Sequence, residues 1–284
     1  MKTGLILEGG AMRGLFTAGV IDVLMENGVK FDGLIGVSAG AAFGCNYKSN
    51  QPGRVIRYNK KYSKNPEYCS FRSLIKTGDL FGADFCYHQM PEKLDIFDVE
   101  AYNANPMDFY AVCTDVTNGE AIYHKCEKAD FETLEWIRAS ASMPLASRVV
   151  EIGDKKLLDG GIADSIPLGY FESIGYDRNV VILTQPLDFV KKKNPLTPVM
   201  RLLIKDYPAV ARVLAQRHIS YNEETRYIRE KEQRGEIIVI RPPEPLKIGR
   251  VEHNPEVMQS VYDIGRKSGE EKLKEIEEFL KIKY

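Results

Sequence analysis

The sequence predicts an α/β fold with a mainly parallel sheet, and three observations carry that reading. Strand-like and helix-like segments alternate from the N-terminus: GLILE at 4–8, a helical period from Leu15 to Leu24, FDGLIGV at 31–37, then the small-residue run SAGAAFG. Strand, helix, strand, helix within the first 48 residues is a βαβ unit, which requires parallel neighbours. Both glycine-rich turns fall at the carboxyl ends of these buried strands, where open α/β sheets place their sites.

The elements follow in order. Leu15, Val20, Val23 and Leu24 recur at helical spacing, and Asn27-Gly28 is a stop signal. GRVIRYNKKYSK at 53–64 reads as a basic helix. Residues 65–106 are rich in turn formers and aromatics without a clear period, and suit a lid or cap over a site, or an irregular segment folded on the core. DFYAVCTDV and EAIYHKC flank Thr117-Asn118-Gly119 as two adjacent strands. DFETLEWIRASASM reads as a helix ending before Pro144, and RVVEIGDKKLLDGG as a hairpin leading into a glycine turn. NVVILT is a core strand, 197–234 is helical and charged, EIIVIRP is a strand, and 255–282 is a long amphipathic helix. With no repeat, low-complexity tract or linker, residues 1–284 are expected to form one α/β unit, with a helical C-terminal part over 190–284.

Composition narrows the function classes. The 284 residues are 44% apolar and 28% charged, with a formal net charge of −1. That balance makes no case for nucleic acid or for an anionic membrane as a general partner. No apolar run approaches the ~18 residues of a membrane span. The N-terminus reaches Glu8 too soon for a signal-peptide core, so a cytoplasmic protein is expected. Cys45, Cys69, Cys86, Cys113 and Cys126 are scattered and odd in number, without CxxC or Cys/His spacing. They read as reduced packing residues, and neither a metal nor another cofactor is expected.

The chemistry concentrates in three short stretches. In LIGVSAG, Gly36, Ser38 and Gly40 have the spacing of a nucleophile elbow, which exposes a serine hydroxyl on a tight strand-to-helix turn. A serine capping the following helix would fit the same position. EGGAMRG at 8–14 lets backbone N–H groups converge on an anion. It fits an oxyanion hole with the N–H groups of Gly10 and Ala11 facing the charge. It lacks the GxxxxGK[ST] phosphate loop, and a dinucleotide fingerprint would want glycine at Ala11 and an acid after the next strand, whereas Asp32 precedes it. Arg13 would hold this loop or add positive charge, or would be solvated. Asp159 in LLDGG follows an apolar strand, and Gly160-Gly161 permits close approach to another loop; a plain turn reads equally well. His88, His124, His218 and His253 lie in no glycine turn after a strand, so Asp159 is the better-placed base for Ser38. Such a base must be buried or hydrogen-bonded to accept a proton.

Taken together and in this order, EGGAMRG, GVSAG, RASASMPLAS and DGGIADSIPL resemble the patatin-like phospholipases and acyl hydrolases, over about residues 4–185. TDVTNGEAIYH fits a strand pair of that family. The resemblance implies a three-layer α/β/α architecture with a mainly parallel central sheet, and a serine–aspartate dyad without histidine. It assigns Ser38 as nucleophile and Asp159 as proton acceptor. Gly9, Gly10, Ala11, Arg13 and Gly14 form the oxyanion loop, with Gly36, Gly40, Gly160 and Gly161 supporting elbow and aspartate turn. The sequence departs from the family pattern at Ala11, where a third glycine is usual, and its leading acid is Glu8.

The reading that follows is a serine acyl hydrolase cleaving carboxylic esters of lipids, with a lipid or fatty-acyl ester as partner and transient contact with a membrane surface. The basic runs RYNKKYSK and FVKKKN are candidates for anionic headgroups, or plain solvated lysines. The alternatives are a Ser/His/Asp hydrolase, a non-enzymatic nucleotide or anion-binding module, and a catalytically silent scaffold.

Overall fold

The computed structural model describes residues 1–281. Its strands are β1 (Lys2–Leu7), β2 (Gly33–Val37), β3 (Asp108–Asp115), β4 (Ala121–Lys125), β5 (Val150–Ile152), β6 (Lys155–Asp159), β7 (Tyr176–Ile182) and β8 (Ile237–Ile240). The helices are α1 (Gly14–Glu26), α2 (Ala39–Lys48), α3 (Arg54–Tyr62), α4 (Phe71–Thr77), α5 (Val99–Ala104), α6 (Phe131–Ser140), α7 (Leu168–Ser173), α8 (Thr197–Leu203), α9 (Pro208–Gln233) and α10 (Pro255–Lys281). The strands form one sheet in the order β5-β6-β3-β2-β1-β7-β8, with β4 also on β3. β3, β2, β1, β7 and β8 run parallel to one another.

Alternation along the parallel strands builds two cores. Leu5 and Leu7, Val180 and Ile182, Ile238 and Ile240 point to one face, where α1, α2, α3, α6 and α10 cover them. Ile6, Val181, Ile237 and Val239 point to the other, against Phe171 of α7 and Tyr221 and Ile228 of α9. Strands buried on both faces read as unbroken apolar runs because each face claims every second residue. The result is a three-layer α/β/α architecture. The C-terminal helix joins it tightly: a Cβ on Gly265 would meet the Phe16 carbonyl oxygen at 2.0 Å, so α1 and α10 cross almost backbone to backbone.

The register of β3 sets the site. β4 takes one edge of β3 over Tyr110–Thr114, and β2 takes the other as far as Val37 opposite Val112. β2 then leaves the sheet, and β6 continues on the vacated edge, with Asp159 opposite Cys113. The chain end of β6 thus arrives beside the residue that follows Val37, which is Ser38.

Most expected elements occur within a residue or two. Some differ. NVVILT at 179–184 is shifted: β7 begins three residues earlier, at Tyr176, and ends at Ile182. The stretch 65–106, in which no period is visible, holds α4, α5 and a wide π-helical turn over Phe85–Leu94 with Pro91 inside it; pieces this short carry no readable repeat. The final helix is described to Lys281, so residue 282 of its expected span lies outside the described residues. Among the described residues, no helix is long and apolar enough to cross a membrane.

Candidate active site

Ser38 occupies the N-terminal cap position of α2 with φ 55° and ψ −121°, and its side chain makes no cap bond among the described residues. A non-glycine residue in that region is strained by ~1–3 kcal/mol and persists only where surrounding structure enforces it. Here the enforcement is visible. A Cβ on Gly36 would lie 2.5 Å from the Gly40 carbonyl carbon, and one on Gly40 would lie 2.4 Å from the Leu7 carbonyl oxygen. The Ser38 N–H donates to Ser140 Oγ at 2.9 Å, and its carbonyl accepts from Ala41 and Ala42 N–H groups at 3.0 Å. Its backbone is thereby held in a sharp turn between β2 and α2.

Asp159 is buried at the end of β6. Its N–H donates to the Ser142 carbonyl at 2.8 Å, and Oδ1 accepts from the Gly161 N–H at 2.8 Å. Burial pushes the carboxyl up from 3.8 to about 6, against the hydrogen-bonding influence of Ser38, then Gly161, and the charges of Arg217 and Arg250. Oδ2 has no partner of full hydrogen-bond geometry among the described residues. The Ser38 hydroxyl stands close enough to act on the carboxyl, without a closed bond. The turn carrying Asp159 is more than a surface turn: a Cβ on Gly160 would strike the Val112 carbonyl oxygen at 2.2 Å.

The loop from Gly9 to Gly14 faces this pair. After Gly10 the chain makes one 3-10 turn over Ala11–Arg13, closed by the Arg13 N–H on the Gly10 carbonyl at 3.1 Å, and Gly14 opens α1. The N–H groups of Gly10 and Ala11 meet no acceptor among the described residues. Ala11 has φ 49°, the left-handed region that a glycine enters freely and an alanine at a cost. The alanine thus adopts the backbone shape the glycine would have, as strain. Glu8 anchors the loop from behind: its carboxylate accepts from the Thr184 N–H at 2.5 Å and the Tyr221 hydroxyl at 2.7 Å. Arg13 is half-buried in the same place, and its Nε has no partner among the described residues.

Gly9, Gly10, Ala11, Arg13, Ser38 and Asp159 all line one cavity of about 330 Å³. One wall is apolar and built by Phe43, Tyr58, Leu80, Phe81, Met90 and Ile137, so the 65–106 stretch supplies part of it. Arg13, Lys191, Arg217 and Arg250 line the same cavity, and Arg217 and Arg250 act on the Asp159 carboxyl. The four histidines do not line the cavity. His88 bonds Glu135 at 3.1 Å, His124 stacks on Trp136, and His253 Nδ1 meets the Ser63 carbonyl at 2.6 Å.

Several site residues lie outside the sequence-level assignment. Ser140 and Ser142 belong to RASASM, a motif that is visible in the sequence although its individual contacts are not. Lys191 begins the KKK run, and only this first lysine turns inward; Lys192 and Lys193 are exposed. In the other basic run Arg57 pairs with Asp95 at 2.7 Å and Lys60 bonds Gln259 at 2.6 Å, while Lys61 and Lys64 are exposed. Arg217 and Arg250 carry no signal in the sequence. The five cysteines are free, four of them buried, and burial raises their thiols.

Comparison with known proteins adds a lineage. A "Domain of unknown function (DUF6363)" matches residues 207–281. The uncharacterised protein YjjU of Escherichia coli (strain K12) is 28% identical over 279 residues, covering 94% of this chain and 76% of that protein. An uncharacterised NTE family protein of Mycobacterium tuberculosis (strain ATCC 25618 / H37Rv) is 24% identical over 181 residues, covering 64% of this chain and 48% of the relative. The lysophospholipase NTE1 of Chaetomium globosum is 26% identical over 188 residues, covering 62% of this chain and 11% of that protein. Among solved structures, VipD from Legionella pneumophila superposes with a TM-score of 0.48 at 14% identity, covering 96% of this chain and 67% of that one. The family model "Patatin-like phospholipase" matches residues 5–171, the stretch that carries Ser38, Asp159 and the glycine loop, and the chain belongs to that family.

Proposed function

We propose that the protein is a serine esterase acting on carboxylic esters of lipids. Ser38 Oγ attacks the ester carbonyl while Asp159 takes its proton, and the N–H groups of Gly10 and Ala11 receive the developing oxyanion. Collapse of the tetrahedral intermediate breaks the bond to the alcohol oxygen, which leaves with the proton held by Asp159. Water then attacks the acyl-enzyme, giving a proton to Asp159, which returns it to Ser38 as the fatty acid departs.

The observation that carries this reading is the strained Ser38, held at φ 55° beside a buried carboxylate at the edge of a cavity with an apolar wall. A carboxyl raised to about 6 is a better proton acceptor than an exposed aspartate, and remains ionised at neutral pH. The fungal relative is named a lysophospholipase, which supports a lipid ester as substrate. Contact with a lipid surface is supported by α8, which exposes Val199, Leu202 and Leu203 while Met200 lines the cavity, beside Lys192 and Lys193.

The test is hydrolysis of a p-nitrophenyl ester chain-length series by wild type, Ser38→Ala and Asp159→Asn, with fluorophosphonate labelling of each. Folded variants without turnover, and a label lost only with Ser38, support the dyad. An unlabelled wild type without turnover returns the glycine loop to an anion-binding role. Loss of activity on replacing one histidine would favour a triad instead.

A further inference from the structure

The proposed chemistry assigns no step to a group of cations that line the same cavity. Arg13, Lys191, Arg217 and Arg250 converge there. They act on one another: Lys191 is lowered to about 8, first by burial and then by Arg217, with Arg13 and Arg250 adding to it. None of the four has a carboxylate at ion-pair distance among the described residues, whereas Arg54, on the same cavity, is paired with Asp95 at 3.3 Å.

Their positions are built. Asn222 of α9 brackets the Lys191 backbone, accepting from its N–H at 2.9 Å and donating to its carbonyl at 3.0 Å, and Lys191 Nζ lies 3.9 Å from the centroid of the Tyr221 ring. Arg217 Nε donates to the Gly161 carbonyl, and its Nη2 to Ser165 Oγ at 3.2 Å, which fixes the guanidinium beside the Asp159 turn. Arg13 Nε is buried and unpartnered among the described residues.

The nearby acids do not balance them. Glu8 is already engaged by Thr184 and Tyr221. Glu224 is pushed up to about 9, by burial and then by Asp164, and is uncharged at neutral pH. Setting aside Arg54, which is paired with Asp95, the cavity lining carries four cations against the two carboxylates of Glu8 and Asp159, an excess of two positive charges. Like charges gathered in a partly desolvated site repel strongly unless an anion enters. A phosphate monoester carries a charge of about −1.5 to −2 at pH 7 and accepts forked hydrogen bonds from guanidinium groups.

We propose that Lys191, Arg217 and Arg250, with Arg13, bind a phosphate monoester, and that the ester cleaved at Ser38 carries one on its alcohol part. The acyl chain lies along the apolar wall and the phosphate among the four cations. This rests on the esterase reading above, and two measurements separate the two ideas.

The first compares kcat/KM for 1-lauroylglycerol 3-phosphate and for neutral 1-lauroylglycerol, in wild type and in the Lys191→Gln/Arg250→Gln variant. The expected ratio favours the phosphate ester at least about tenfold in wild type and falls toward one in the variant. A wild-type ratio near one, or a ratio the variant leaves unchanged, overturns the proposal. The second titrates folded Ser38→Ala protein with dodecyl phosphate, inorganic phosphate and dodecyltrimethylammonium by calorimetry, with and without the same double substitution. Dodecyl phosphate should bind best and lose at least about tenfold in affinity with the substitutions. Inorganic phosphate binding as tightly as dodecyl phosphate would make this a free-anion site and overturn the substrate assignment. Dodecyl phosphate binding by a protein that hydrolyses no ester refutes the esterase reading alone. Turnover of neutral ester without dodecyl phosphate binding refutes the phosphate site alone.

Discussion

Replacing Asp159 by asparagine should abolish turnover and make the protein more stable at neutral pH. The folded chain holds the Asp159 carboxyl at about 6, against 3.8 for an unperturbed aspartate, because burial disfavours the charge. The native state therefore binds more protons than the unfolded chain between those two values, and stability falls as pH rises through that window. A shift of about two units corresponds to ~3 kcal/mol at pH 7.5, fully present above pH 6 and absent below about pH 4. Asparagine fills the same space without a charge, so the variant escapes that cost. At roughly 2 °C per kcal/mol for a chain of this size, its melting temperature should rise by roughly 5 °C at pH 7.5 and by no more than about 2 °C at pH 4.5. The matching kinetic signature is a wild-type kcat/KM that rises with pH and levels off above about 6, and a loss of about 10²–10⁴-fold in the variant. Scanning fluorimetry at both pH values and a pH–rate profile measure all of this. A variant less stable than wild type at pH 7.5, or a difference that does not depend on pH, would refute the argument that the site stores an unfavourable buried charge.

Other substitutions probe the frame around the dyad. Ser140→Ala leaves the Ser38 N–H without its acceptor, and should cost ~1–3 kcal/mol in thermal stability and lower kcat as the elbow relaxes. Ala11→Gly should keep kcat within about threefold, because the φ of 49° suits glycine, whereas Ala11→Val should lower kcat by about 10²–10³-fold by turning a donor away from the oxyanion; ester kinetics decide. Leu202→Gln/Leu203→Gln removes the most exposed apolar side chains of α8 and should reduce co-sedimentation with vesicles containing anionic lipid; unchanged sedimentation would remove α8 from the lipid contact.

What the sequence makes legible is whatever is local. GVSAG names a strand, a turn and a helix within five residues, and the strained serine is where that pattern puts it. LLDGG likewise announces a strand end. Nothing local says that β6 takes over the β3 edge where β2 leaves it, which is what brings Asp159 level with Ser38 across more than a hundred residues. The contacts of Ser140 and Ser142 depend on that same meeting, so their motif is visible while their roles are not. The alanine at position 11 departs from the glycine pattern, yet its backbone takes the left-handed shape with the N–H retained. The apolar wall is half legible: the aromatic density of 65–106 marks a covering segment, and its short helices are too brief to show any periodicity.

The C-terminal part is illegible for a different reason. Its residues act on the site singly, each from a different place: Tyr221 and Arg217 from one face of α9, Lys191 from the loop that Asn222 holds, Arg250 from the segment before α10. A lone arginine in a charged helix has no pattern to distinguish it from its solvated neighbours. Yet the buried Glu8 couples the two halves, since its carboxylate is satisfied only with Tyr221 in place. Removing that hydroxyl would leave a buried acceptor short of a partner directly behind the Gly10–Ala11 donors, at a typical cost of ~1–3 kcal/mol. On the proposed mechanism the N-terminal motifs would supply the reacting groups, and α9 supplies the Tyr221 hydroxyl behind the loop that would receive the oxyanion. Through Tyr221 and Arg217 the same helix thus touches both the glycine loop's anchor and the Asp159 turn.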